Sequence, residues 1–375
     1  KVMTRDGNPL PGAIISILNH PEYGETLSRD DGMFDMAVNG GAYLIINYAK
    51  AGYLPSQRQI DVPWQDWVWA PDVMLIPLES KVTTVDLSQV AEDFIVAQGS
   101  EIQGSRGTRQ ATMLFPKGIQ ADLVMPDGST QPISTLNVRV TEYSVGPNGP
   151  DAMPAVLPPG IGYTYCAELS VDEAISAGAE TVSFSQPLFY YLENFLDFAI
   201  GDEVPTYFYD KKKGAWLSSP NGLVLKFVGT SGGLVDLDID GDDVSDDPAS
   251  LVALGITDAE RLQLAGLYTV GQSLWRVPVS HFTPIDCNWP VVYPSDIVIP
   301  ELDLTELDTE IDCASTGSIV KCASQVLGES IPIAGTPLTI NYRSSRTEGD
   351  ARNYTLDIPL TKDTWPASLR LSLIH

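Results

Sequence analysis

A chain of 375 residues, 43% hydrophobic and only 19% charged, has ample apolar surface for folded cores and exceeds one average domain, so two or three domains are expected. Its formal net charge of −27 repels phosphate backbones and anionic lipid, which argues against nucleic-acid binding and bilayer docking. No apolar run approaches the ~18–20 residues of a membrane helix, and the 28 prolines and 31 glycines are scattered as in a turn-rich globular protein.

Residues 1–79 alternate apolar and polar over short stretches divided by turn signals. Lys1-Val2-Met3-Thr4 reads as the interior of a strand, so the sequence is expected to be cut from a longer chain. Asp6-Gly7-Asn8-Pro9 is a turn, and Ala13, Ile15 and Ile17 fall on one face of a strand. Asp30-Asp31-Gly32 turns into Met33-Phe34-Asp35-Met36-Ala37-Val38, and Asn39-Gly40-Gly41 reads as a hairpin turn before Tyr43-Leu44-Ile45-Ile46. Trp64, Trp67 and Trp69 follow in a cluster. They read as an apolar seam between domains, with a sugar-stacking platform as the alternative.

Residues 80–289 read as a second β-rich unit, with strands at 111–116, 121–126 and 136–140. Turns are expected at Asp127-Gly128-Ser129 and Pro147-Asn148-Gly149-Pro150. Two short helices carry capping signals. One spans 170–177, with Ser170 as N-cap and Glu173 three residues on. The other spans 257–268, with Thr257 as N-cap, Glu260 three residues on, and Leu262, Leu264 and Leu267 inside. Lys211-Lys212-Lys213 reads as a solvated hairpin tip.

The sharpest chemical signal is the run Asp236-Leu237-Asp238-Ile239-Asp240-Gly241-Asp242-Asp243-Val244-Ser245-Asp246-Asp247. Seven carboxylates in twelve residues repel one another unless a hard cation gathers them. Calcium takes six to eight oxygens at ~2.3–2.6 Å, and this spacing supplies them. The expected side-chain ligands are Asp236, Asp238, Asp240 and Asp247. Asp242 would offer its backbone carbonyl, and Asp246 would replace or join Asp247. Gly241 allows the sharp turn. No helix-forming stretch precedes Asp236, so the loop is an isolated calcium site rather than half of an EF-hand pair, and the ion is structural.

Pro290, Pro294 and Pro300 with the acidic run after Glu301 mark an extended linker over 290–312. A new β segment is expected from 313 to 375. Of the four cysteines, Cys166 reads as a buried thiol. Cys313 and Cys322 flank a short turn and are placed to bridge, and Cys287 either pairs with Cys313 or stays free.

Three readings compete for a catalytic role. Gly229-Thr230-Ser231-Gly232-Gly233 fits G-x-S-x-G, but an acidic loop follows it where a nucleophile elbow needs a helix. His281 near Asp286 and Cys287 invites a Cys–His dyad, against the plainer reading of a structural histidine beside Phe282. Carboxylate pairs are abundant among 49 acidic residues, and spacing alone defines no glycosidase.

The blocks Asp6-Gly7-Asn8-Pro9-Leu10-Pro11-Gly12-Ala13, Asp31-Gly32-Met33-Phe34, Gly41-Ala42-Tyr43 and Gly52-Tyr53 occur in an order that resembles the carboxypeptidase regulatory-like family, a transthyretin-like β-sandwich. The resemblance implies a non-catalytic spacer, docking or adhesion module. Leu327-Gly328-Glu329-Ser330-Ile331-Pro332-Ile333, Asn341-Tyr342-Arg343-Ser344 and Tyr354-Thr355-Leu356-Asp357 look like the entry into RHS/YD-repeat shells. Pro126-Asp127-Gly128-Ser129, Lys213-Gly214-Ala215-Trp216, the acidic loop and His281-Phe282-Thr283-Pro284 are similar to the segment ahead of those repeats in bacterial RHS proteins. Such a family implies a sheet spiralling into a hollow shell, closed in the related teneurins by a β-sandwich plug. Its aspartyl autoprotease lies at the far end of the shell, so no catalytic residue carries over.

The expectation is therefore a mainly β, multi-domain β-sandwich protein with a few short helices, followed by the first strands of an RHS-type shell. Residues 1–79 would be the carboxypeptidase regulatory-like sandwich, 80–289 a plug-like domain with the calcium loop, 290–312 a linker and 313–375 the start of the shell. The chain would be a secreted or cell-surface, non-enzymatic plug for toxin delivery or adhesion. Its partners would be the shell of the same polypeptide and a cell-surface protein or glycan. The rival readings are a carbohydrate adhesin using Trp64, Trp67 and Trp69, and a hydrolase using Ser231 or Cys287.

Overall fold

The alternation of Ala13, Ile15 and Ile17 places all three side chains in a buried row. Ile15 and Ile17 of that row belong to the second of six strands in the N-terminal sandwich, and Ala13 immediately precedes it. The six are β1 (Val2–Thr4), β2 (Ile14–Ile17), β3 (Glu25–Leu27), β4 (Ala42–Ala49), β5 (Ser56–Val62) and β6 (Val73–Leu75). The computed structural model describes residues 1–89, 91–104, 107–144, 149–157 and 164–289, and beyond them the strands Leu327–Pro332 and Thr339–Ser344. It is mainly β with a few short helices.

In the sandwich, β3-β2-β4-β5 form one antiparallel sheet, and β1 pairs with β6 in parallel. Ile15, Leu44, Ile46, Tyr48 and Val73 meet between these layers. Phe34, Met36 and Val38 pack against the same core. Residues 33–38 nevertheless join no ladder among the described residues.

The second body is built on two larger sheets. One is six-stranded and the other nine-stranded. Their facing residues share one core. Val138, Tyr165 and Ile285 come from the six-stranded sheet, and Met113, Tyr190, Trp275 and Val277 from the nine-stranded one. Trp275 is fully buried, stacks on Phe198 with centroids 4.7 Å apart, and donates from Nε1 to Asn194 Oδ1 at 2.9 Å. A buried indole N–H needs such a partner.

The outer face of the nine-stranded sheet is covered by helices Pro248–Ala253 and Asp258–Leu267, which bring Leu251 and Leu264 onto Leu225, Phe227 and Leu237. The second helix starts where expected, with Thr257 accepting from Glu260 N at 3.1 Å. Its Glu260 side chain does not reach back to close a capping box. It turns inward to Arg276 at 2.8 Å and to the Tyr191 hydroxyl, and is buried.

The capping box expected at Ser170 does not form either. Ser170 lies in the strand Tyr165–Val171, and the helix begins only at Asp172, with Val171 at its N-cap and no side-chain cap. Glu173 is drawn away to Asn137, accepting from its N at 2.9 Å and its Nδ2 at 2.6 Å. Strand pairing of Ser170 with Arg139 outweighs a local cap.

Residues Lys1–Pro290 form one compact unit. The sandwich and the second body each keep their own core inside it. Their seam is not made by the tryptophan cluster. Trp64, Trp67 and Trp69 are 69%, 70% and 69% exposed, so the expectation of a buried aromatic seam is overturned. Leu54, Met74 and Ile76 make the seam with Tyr143, Met153 and Cys166. The tryptophans instead follow the end of β5 at Val62, outside any strand.

The second unit spans Val291–His375, and its described part is one hairpin, with Leu327–Pro332 antiparallel to Thr339–Ser344. The linker expected at 290–312, Cys313, Cys322 and the remaining shell strands lie outside the described residues.

Candidate functional site

The hairpin of strands Gly222–Ser231 and Leu234–Asp238 delivers the acidic loop. Gly232 and Gly233, both with positive φ, form its tip. The strand therefore turns back where a nucleophile elbow requires a helix. Ser231 is exposed and donates to Asp236 Oδ2 at 2.7 Å, an acidic partner that supplies no general base of the Ser–His kind.

From Asp238 the chain wraps around one buried carboxylate. Asp238 is fully buried. Its Oδ1 accepts from Gly241 N at 2.7 Å and Asp240 N at 3.2 Å, and its Oδ2 from Asp243 N at 3.0 Å. Asp246 Oδ2 accepts from Ile239 N at 2.7 Å, and Asp246 N donates to Leu237 O at 2.8 Å, which closes the loop on its own strand. Gly241 sits at φ 86°, and a Cβ there would lie 2.9 Å from Ile200 O. Glycine is needed both for the left-handed turn and for the close approach.

Ligand oxygens of Asp238, Asp240 and Asp246 lie within 4.8 Å of one another. Two oxygens on a common calcium at ~2.4 Å are separated by no more than that. Among the described residues no donor reaches Asp240 Oδ2 or Asp246 Oδ1, and no cationic side chain pairs with any of the three. Lys226 is engaged by Asp243. Three converging carboxylates that accept only from amides are a donor set suited to a hard divalent cation.

The side chains of Asp236 and Asp247 have other partners, and that of Asp242, expected to lend only its backbone carbonyl, has one too. Asp236 faces Arg261 Nη2 at 3.3 Å and Ser231 Oγ. Asp247 caps the helix Pro248–Ala253, accepting from Ala249 N at 2.8 Å and Ser250 N at 3.1 Å. Asp242 Oδ1 accepts from Val244 N at 2.8 Å on the exposed side. The helix that starts immediately after the loop claims Asp247 as a cap.

Cys287 and His281 do not meet as a dyad. Cys287 pairs with Tyr165 and Thr206 in the six-stranded sheet, while His281 pairs with Ser183 in the nine-stranded one. Burial pushes the Cys287 thiol well up, with the Asp286 charge adding to it, so it is no ready thiolate. His281 stands edge-on to Phe208 at 4.5 Å, and burial lowers its basicity. Cys166 and Cys287 are both free, buried thiols.

Sequence reasoning missed the polar half of the seam. Arg58, 3% exposed, donates from Nη1 to Met153 O at 3.0 Å and from Nη2 to Asp151 O at 2.6 Å. Gln57 N donates to Pro154 O at 2.7 Å, and the Tyr209 hydroxyl to Gln57 Oε1 at 2.5 Å. The run Ser56-Gln57-Arg58 interrupts the apolar alternation of β5 with three buried polar residues, which was the available signal.

Residues 1–75 match the Teneurin TTR-like domain. The six strands and their shared core lie within the matched residues and are TTR-like. Relatives extend the likeness. The chain is 35% identical to Teneurin-4 of Mus musculus over 146 residues, 38% of this chain and 5% of that protein. It is 35% identical to Teneurin-3 of Danio rerio over 88 residues, 24% of this chain and 3% of that protein. It is 30% identical to Teneurin-m of Drosophila melanogaster over 135 residues, 34% of this chain and 5% of that protein. The matches span only a small part of these teneurins.

Proposed function

We propose that residues 1–289 act as a non-catalytic structural and docking unit of a secreted or cell-surface protein. Its second body would cap the mouth of an RHS/YD-type β shell whose wall begins after residue 313, with the TTR-like sandwich outermost. Calcium held by Asp238, Asp240 and Asp246 would lock the loop and the helix that follows it. A spiral sheet exposes strand edges and an apolar lumen, and a β plug removes both liabilities. This reading comprises toxin-delivery and adhesion versions of the same architecture, and the teneurin likeness favours adhesion.

One observation carries it. The TTR-like sandwich is joined to the second body by a buried seam with a buried arginine, not by a free linker. Such a junction suits a plug that keeps one shape. Limited proteolysis of the full chain in calcium tests it. A resistant fragment retaining both the sandwich and the second body is expected. Release of the sandwich by cleavage near residue 80, or measured turnover of any compound, overturns the reading.

The exposure of Trp64, Trp67 and Trp69 favours a second reading, a glycan-binding adhesion module. Glycan-array binding that is lost in Trp64→Ala would support it.

A further inference from the structure

The seam covers a buried acid. Asp286 lies opposite Cys166 in the six-stranded sheet, so the two side chains leave it on the same face. Cys166 belongs to the seam cluster, with Leu54, Met74 and Ile76 of the sandwich. Asp286 is fully buried, and Asn288, two residues on and so on the same face, is 6% exposed.

Asn288 Nδ2 donates to Asp286 Oδ2 at 2.6 Å. The other oxygen of each side chain, Asp286 Oδ1 and Asn288 Oδ1, is buried and has no hydrogen-bond partner. Two such empty acceptors are costly and need a donor. The packed strands supply none. From Tyr165–Val171, Cys166 faces Asp286, and Glu168 follows on the same face, held by Lys211 Nζ at 2.8 Å and the Tyr143 hydroxyl at 2.9 Å. From Thr206–Asp210, Tyr207 lies opposite Asp286. On Thr135–Glu142, Arg139 pairs with Asp172, and Glu142 with Arg109. Arg58 of the sandwich is engaged by the carbonyls of Asp151 and Met153. On its own strand, Cys287 points the other way, into the shared core.

We propose that Asp286 and Asn288 form a carboxylic acid–carboxamide pair, and that its proton is a pH latch on the seam between the sandwich and the second body. Asp286 Oδ1–H donates to Asn288 Oδ1, so one proton taken from solvent satisfies both empty oxygens. Burial favours the neutral acid and pushes the Asp286 carboxyl up to about 7. Once the seam opens and water reaches it, the carboxyl ionises near ~3.9. Between those values opening releases the proton. The seam is therefore tightest in acid, weakens as pH rises, and stops weakening once the closed pair is itself ionised. The latch requires only the seam and holds whether or not the second body caps a shell.

Hydrogen exchange of the full chain tests it at the Gln57 amide, which donates to Pro154 O across the seam at 2.7 Å. The comparison is with Asp286→Asn, whose amide takes the place of the protonated acid at every pH. After correction for intrinsic exchange, protection of Gln57 in the parent is expected to fall roughly tenfold per pH unit between about pH 5 and pH 7 relative to the variant. A parent-minus-variant infrared spectrum at pH 5 is expected to show a carboxylic acid carbonyl band. A carboxylate band there instead means that water or a cation serves the two oxygens, and overturns the proposal. Parallel pH profiles of Gln57 in the two proteins overturn it as well. So does a slope confined to the core strand Thr181–Glu193, which would place the titration in global unfolding alone.

Discussion

Arg58 of the TTR-like sandwich donates from Nη2 to the carbonyl of Asp151 in the second body at 2.6 Å, and from Nη1 to Met153 O at 3.0 Å. A guanidinium this deeply buried is costly, and burial lowers its basicity. Neutral carbonyls hold it in place of a carboxylate, which makes the bond a directional lock on one backbone segment.

Arg58→Met removes that lock and strands the carbonyls it served. A loss of about 2–4 kcal/mol in denaturant unfolding is expected. Proteolysis between the sandwich and the second body should accelerate with it, a readout that damage confined to one core would not give.

Glu260 and Arg276 form a buried ion pair at 2.8 Å, with the Tyr191 hydroxyl donating to the same carboxylate. The Arg276 guanidinium also lies over the Phe189 ring, 3.4 Å from its centroid. Glu260→Gln leaves a buried cation without its counter-charge, and about 3–5 kcal/mol of stability should be lost in urea titration. Replacing Arg276 and Glu260 together by Met and Leu should recover much of it.

Asp286 is fully buried and lies opposite Cys166 in the ladder, with Asn288 Nδ2 donating to its Oδ2 at 2.6 Å. Burial pushes its carboxyl up to about 7, against the smaller opposing effect of Asn288. The unfolded chain titrates near ~3.9. Between those values the folded state holds a proton that the unfolded state has lost, so this group's contribution falls as pH rises. The difference reaches about 4 kcal/mol above pH 7. Asp286→Asn should match the parent near pH 4 and be more stable at pH 8, as measured by paired urea titrations.

Gly241→Ala meets both a left-handed backbone and the Ile200 carbonyl 2.9 Å from the new Cβ. A loss of about 1–3 kcal/mol is expected. Calcium should recover less of the stability of this variant than of the parent, because Gly241 N donates to Asp238 Oδ1 and its turn leads the chain on toward Asp246.

Much of this was legible in the sequence because period-two alternation and turn residues act locally. Ala13, Ile15 and Ile17, the turn at Asp127-Gly128-Ser129 and the N-cap at Thr257 all follow from near neighbours. The order of short blocks in residues 1–79 was enough to point to a transthyretin-like sandwich. What failed were features decided by distant partners. Ser170 was claimed by a strand, Glu173 by Asn137 and the Asp247 side chain by a helix end, so the cap expected at Ser170 did not form. The tryptophan cluster misled because aromatic content signals potential burial, while all three side chains stand exposed beyond the end of β5. The seam was invisible because its polar residues meet only across 93 or more positions of sequence.

Scanning calorimetry of the full chain with calcium and with chelator, on the parent and on Asp246→Asn, tests the metal-locked plug most directly. Binding to the folded state alone raises its stability by RT ln(1 + [L]/Kd). The account predicts a melting temperature that rises with calcium concentration in the parent and does not move in Asp246→Asn. Superimposable melts of the parent in calcium and in chelator would contradict it.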